Sequence, residues 1–300
     1  MDWRTILEEH VRTACGRWIT DAPWTDSVID MSEKAAHARK IRTLSEQQAQ
    51  IEKVLVHARV TDLEEKREDQ VVYYTLHSEW LIRQTGGLYL EERVEDREAV
   101  LRGSQIALDR LRPLPEAHAS ASANQEGSRQ AEPEISRPAY DRLKAVRYAE
   151  LWWNRRNPDY PRVENDCTNF ISQCLHAGGI PMWGAPVRSR GWWHSRTSWS
   201  YSWAVANSLR WYLSRSGNVM KAVEVDSVYK LVPGDVICYD FEGDGHWDHN
   251  TLVTSIAPSG SPLVNAHTYD ARARDWAYTD SPAWTERINY KFFRIDGQSD

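Results

Sequence analysis

The chain holds four cysteines, Cys15, Cys167, Cys174 and Cys238, and only Cys167 stands where a thiol gains reactivity. In NDCTNFISQCLHAGG, residues 165–179, Asn165 and Asp166 are helix-capping types, Phe170, Ile171, Cys174 and Leu175 repeat at helical spacing, and Gly178-Gly179 is a helix stop. The pattern predicts Cys167 in the first turn of a helix. Unpaired N–H groups and the positive end of the helix dipole stabilise a thiolate there, and the same N–H groups can hold the oxyanion of a tetrahedral intermediate. Cys174 falls mid-helix among apolar residues and is expected in the core. A cysteine at a helix start is more often structural than catalytic, so the case needs a base.

The best base lies in VPGDVICYDFEGDGHWDHNTLVTSIAP, residues 232–258. Pro233-Gly234 reads as a turn, Asp235 to Asp240 as an alternating strand, Phe241 to Trp247 as a glycine-rich loop, and Leu252 to Ile256 as the returning strand of a hairpin. His249 falls where that second strand begins, a position suited to projecting an imidazole over a helix terminus. His246, in the loop, is expected to be exposed. A third strand, PLVNAHTYD at 262–270, carries Asn265 and His267. At i and i+2 they share a face, and either could orient His249 by accepting its second N–H. Cys238, His246, Asp248 and His249 also gather within twelve positions, but their spacing matches no common zinc pattern. Neither a metal nor another cofactor is expected.

Between nucleophile and base runs SRGWWHSRTSWSYSWAVANSLRWYL, residues 189–213, with Trp192, Trp193, Trp199, Trp203 and Trp211. Trp199, Trp203 and Leu209 to Leu213 suggest one amphipathic helix beginning near Ser198. These indoles serve either core packing or a cleft wall that stacks on sugar rings or apolar side chains. Trp192 and Trp193, on the non-helical lead-in, are the candidates for the second role, and Asp166 joins them as a candidate substrate contact.

The elements that must position these groups belong to the second half of an α+β chain of two domains. Residues 113–138, PLPEAHASASANQEGSRQAEPEISRP, hold four prolines and no aromatic residue, and read as a flexible linker. Before it, residues 1–112 predict a small α+β accessory domain: a helix near 2–19, a second near 26–49, then an antiparallel meander. Strands are expected around Val54–Val60 and Val72–Leu76, with the charged run Glu64 to Asp69 as their turn, and around Leu88–Val94 extending toward Leu101. Its histidines, His10, His37, His57 and His77, show no catalytic partner pattern. After the linker, residues 139–300 hold 11 of the 15 tryptophans.

Net charge is −6, yet residues 139–300 carry 18 Lys/Arg against 18 Asp/Glu, so no basic stripe for nucleic acid is present. The cysteines form no CxxC and no dense framework, as in reduced intracellular proteins. Residues 1–18 contain charges every few positions and no apolar h-region, so neither a signal peptide nor a membrane span is readable, and a cytoplasmic location is expected unless export takes another route.

DCTNFISQCLHAGG, the preceding YDRLKAVRYAELWWNRRNPDYPRVEN, the PGD strand with DHNTLVT, and VNAHTYD together resemble the putative amidase domain family, related to the papain-like CHAP and NlpC cell-wall peptidases. The resemblance covers about residues 139–295 and excludes the front domain. It implies a papain-like fold with the Cys-bearing helix packed on an antiparallel sheet, Cys167 as nucleophile, His249 as general base, and His267 or Asn265 in the third position. The expected activity is cleavage of an amide bond in a peptide or peptidoglycan-like substrate. The rival reading is a ligand-binding module on the same fold without turnover. The front domain is expected to bind or position a protein partner.

Overall fold

The computed structural model describes residues 2–20, 28–66, 69–113 and 139–296. The predicted linker lies outside the described residues apart from Pro113 at its start. By internal contacts the chain forms two units. The first runs to Pro113 and also takes in Ala277–Trp284; the second holds the rest.

In the first unit, helices α1 (Trp3–Thr20) and α2 (Met31–Glu46) precede strands β1 (Gln50–Lys66), β2 (Asp69–Gln84), β3 (Gly87–Arg102) and β4 (Gln105–Leu111). Asp30 caps α2 by accepting the Ser32 N–H. The strands form an antiparallel meander, and alternate residues of β2 turn Val72, Tyr74, Trp80 and Ile82 inward. Ile6, Leu7 and Val11 of α1 pack on Val72 and Tyr74, while Leu44 of α2 packs near Trp80 and Ile82. Two features were not expected from the sequence. The described part of the charged run is strand, since Glu64, Glu65 and Lys66 pair with Val71, Gln70 and Asp69. Strand β4 follows a turn at Gly103, whose φ of 60° suits glycine. Arg39 donates to the Thr279 and Ser281 carbonyls, and Lys40 is bonded to Glu91 and Asp280 in the interior, which explains why Ala277–Trp284 belongs to this unit.

The second unit builds α3 (Arg142–Trp152), α4 (Cys167–Ala177), α5 (Tyr201–Ala204) and α6 (Ala206–Leu213). Its strands are β5 (Val223–Val225), β6 (Val236–Asp240), β7 (His249–Ile256), β8 (Pro262–Ala266), β9 (Asp270–Asp275) and β10 (Asn289–Arg294). They run in the order β9-β8-β7-β6-β10-β5, and every neighbouring pair is antiparallel. One sheet face carries Val236, Cys238, Leu252 and Phe293, which join Phe170, Ile171, Cys174 and Leu175 of α4 in the main core. Helix α4 ends where Gly178 passes beneath the Tyr140 ring, and a Cβ at that position would collide with it. The single helix expected from Ser198 is two short helices, because Val205 between them is extended at φ −118° and ψ 122°. No helix among the described residues is long and apolar enough to cross a membrane.

Candidate active site

Cys167 is the first residue of α4 and is buried. Its Sγ lies 3.6 Å from the Thr168 hydroxyl. Burial pushes the thiol above its ordinary value, while the Asn250 N–H and the neighbouring Thr168 and Thr268 hydroxyls pull it back down. The resting form is therefore a thiol surrounded by groups that favour the thiolate. Thr268 holds its place at φ 93°, a left-handed value that is an outlier for a β-branched residue. Thr168 donates to Asn250 Oδ1 at 2.8 Å and so ties the first turn of α4 to β7.

That tie fixes which face of β7 looks at α4. Asn250 points toward α4, and its pairing partner Cys238 lies in the core with α4. Side chains alternate along a strand, so His249 leaves β7 on the opposite face with its own partner Tyr239. Its ring lies 5.6 Å from that of Tyr239 and 6.2 Å from that of Phe241. Burial, with the Arg274 guanidinium adding to it, lowers the imidazole to about 3. The side chain is thus a neutral imidazole, the form required of a base but one reluctant to hold a proton.

Asn265 on β8 and His267, just past its end, lie on the α4 face, and both are engaged elsewhere. Asn265 accepts from Thr254 and the Ala273 N–H and donates to Glu150 on α3. His267 stacks on Phe170 with ring centroids 3.8 Å apart. Its Nδ1 faces Asp166 Oδ2 at 2.6 Å and its Nε2 faces the Trp152 carbonyl at 2.8 Å. Both ring nitrogens meet acceptors, so neither offers a lone pair to the thiol. The structure thus brings Cys167 together with Thr168, Asn250 and Thr268, joins His267 to Asp166, and sets His249 on the other side of its strand.

Residues 139–293 match the family model described as "Putative amidase domain". The chain belongs to the putative amidase domain family. It is 44% identical over 273 residues to the Bacillus subtilis (strain 168) protein named "Uncharacterized protein YhbB", a match covering 89% of this chain and 86% of that one. It is 31% identical over 126 residues to "Uncharacterized protein YjcM" of the same organism, covering 39% of this chain and 28% of that protein. No solved structure matches.

Within this amidase-family domain, the segment DCTNFISQ works as a bonding strip as well as a helix. Asp166 occupies the N-cap position without making a capping hydrogen bond. Its carboxylate instead accepts from Asn169 at 2.7 Å, Arg156 at 2.7 Å and His267 at 2.6 Å. Arg156 also grips Asp270. Asp166, expected to contact substrate, is therefore buried and occupied as the anchor of the α4 start. Asn169 Oδ1 accepts from the Trp203 indole and Ser172 accepts from the Trp192 indole. Trp192 and Trp193 are 0% and 2% exposed, which is the packing alternative rather than a cleft wall. Trp193 spends its own N–H on the Val187 and Arg190 carbonyls.

Sequence reasoning overlooked Thr168, Asn250, Thr268 and Arg156. The first three lie inside or beside the quoted motifs, and their hydroxyl or amide groups next to Cys167, His249 and His267 were the available signal. Arg156 had no signal, because a single arginine in WWNRRN reads as surface charge. In the β6–β7 loop, Asp240, Glu242 and Asp248 converge closely enough for metal ligation. Asp240, however, already accepts N–H bonds from Gly243, Asp244 and Gly245. Burial and neighbouring Asp248 raise the Glu242 carboxyl.

Proposed function

We propose that this member of the amidase family is a cysteine amidohydrolase with a papain-like site, acting on amide bonds of peptides such as those of peptidoglycan. The observation that carries the reading is the surroundings of Cys167: a helix-start thiol faced by the Thr168 and Thr268 hydroxyls and the Asn250 N–H. The Asn250 N–H and the Thr268 hydroxyl offset burial as negative charge develops on sulfur, while a buried bystander such as Cys174 meets no comparable set.

In this mechanism His249 takes the Cys167 proton as sulfur attacks the amide carbonyl carbon. Backbone N–H groups of the first α4 turn hold the oxyanion. The imidazolium then gives its proton to the leaving amine, and the C–N bond breaks to leave a thioester. Water, activated by the same imidazole, hydrolyses the thioester and restores the thiol. Proton transfer requires a backbone shift at the start of β7, because side-chain rotation alone does not carry the His249 ring from the Tyr239 face to the Asn250 face. Asn265 or His267 would orient it there by releasing a present partner.

The opposite-face placement of His249 favours a second reading, a peptide- or cell-wall-binding module without turnover. Incubating the protein with purified muropeptides and weighing the products separates the two. Amidohydrolysis predicts paired fragments whose masses sum to that of the parent plus one water, lost in both Cys167→Ala and His249→Ala. Unaltered muropeptides that co-purify with wild type and Cys167→Ala alike would establish the binder.

A further inference from the structure

We propose that His77, Glu79 and Glu92, with His57 as a fourth ligand, form a transition-metal site on the N-terminal unit, taking Zn²⁺ or an ion of similar preference. The argument begins with strand alternation. Val72, Tyr74, Trp80 and Ile82 turn one face of the meander toward its helices, so the odd-numbered His77 and Glu79 share the other face. Register completes the set. His57 pairs directly with His77 across β1 and β2, and Glu79 pairs directly with Glu92 across β2 and β3.

One ligand atom from each of His77, Glu79 and Glu92 lies within 4.8 Å of the other two. His77 Nε2 and Glu92 Oε2 are 3.0 Å apart. With metal bonds of about 2.0–2.2 Å, two ligands of a tetrahedral ion stand roughly 3.4 Å apart, so small side-chain rotations bring the three onto one centre. The His57 ring, 6.4 Å from that of His77, is exposed and able to turn inward. The charge pattern points the same way. Two glutamates directly opposite each other repel, and a divalent cation between them converts that repulsion into ligation. Two imidazoles with two carboxylates suit a borderline ion better than Ca²⁺ or Mg²⁺, which take oxygen shells. Mounting the ligands on three paired strands holds them in place before the ion arrives.

Isothermal titration of the full chain with ZnCl₂, after chelator treatment, tests the site. One equivalent should bind, and His77→Ala and Glu92→Gln should each weaken it by at least about tenfold. Cys167→Ala and His246→Ala should bind as wild type does. Circular dichroism confirms that each variant is folded, and Glu79→Gln, at a less buried position, replaces Glu92→Gln if that protein fails to fold. Co²⁺ should give the intense visible absorption of a tetrahedral site in wild type and lose it in His77→Ala. Binding of less than one equivalent, undiminished binding in His77→Ala, or loss of binding in Cys167→Ala would each overturn the proposal.

Discussion

His249 gives the sharpest quantitative test of the site. Burial and Arg274 move its imidazole from the ordinary 6.5 to about 3. That displacement corresponds to about 5 kcal/mol against the protonated form, at about 1.4 kcal/mol per pH unit. The unfolded chain takes up the proton near pH 6.5 and the folded chain only near 3. The contribution to stability is therefore complete above pH 6.5 and is lost as pH falls from 6.5 toward 3. The assay is a pH titration of the histidine Cε1–H signals by carbon–proton NMR, with His249 assigned as the resonance missing from His249→Gln. Its signal should keep the neutral position down to about pH 4, well below the range of an exposed histidine. A midpoint near 6.5 would refute the burial reasoning and the resting thiol–imidazole state that depends on it.

Further predictions concern the groups that hold the site. Asp166→Asn should lower stability by about 3–5 kcal/mol in urea unfolding followed by tryptophan fluorescence, because it leaves Arg156 and His267 without their buried anion. A change under about 1 kcal/mol would show that the network does not anchor α4. Trp203→Ala should cost about 3–5 kcal/mol, and Trp203→Phe about 1–3 kcal/mol through the orphaned Asn169 carbonyl, measured the same way. Thr268→Val removes a hydroxyl that lowers the Cys167 thiol, so the pH profile of Cys167 alkylation should move to higher pH. An unmoved profile would remove Thr268 from the site.

Legibility in the sequence followed periodicity. Helix α4, the β6–β7 hairpin and β8 were readable because apolar residues repeat at 3.6 or 2 positions between glycine, proline and asparagine signals. The charged end of β1 was misread as a turn, since cross-strand pairing with β2 outweighs the poor strand preference of Glu and Lys. The break at Val205 escaped notice because a β-branched residue carries no helix-stop signal. The place of Cys167 at the start of a helix followed from local sequence. The partners of Asp166 did not, because Arg156 and His267 reach it across 10 and 101 positions of chain, a tertiary fact that spacing does not encode. Which way His249 faces depends on the register that puts Asn250 against Thr168, and a one-residue slip would reverse it.

Covalent capture at Cys167 tests the central claim most directly. The full chain is incubated with a peptide carrying a thiol-directed electrophile in place of the scissile amide, then digested and mapped by mass. The account predicts an adduct on the peptide containing Cys167, formed ahead of any on Cys15, Cys174 or Cys238, and strongly slowed in His249→Ala. Equal labelling of Cys15, or labelling of Cys167 at an unchanged rate in His249→Ala, would contradict it.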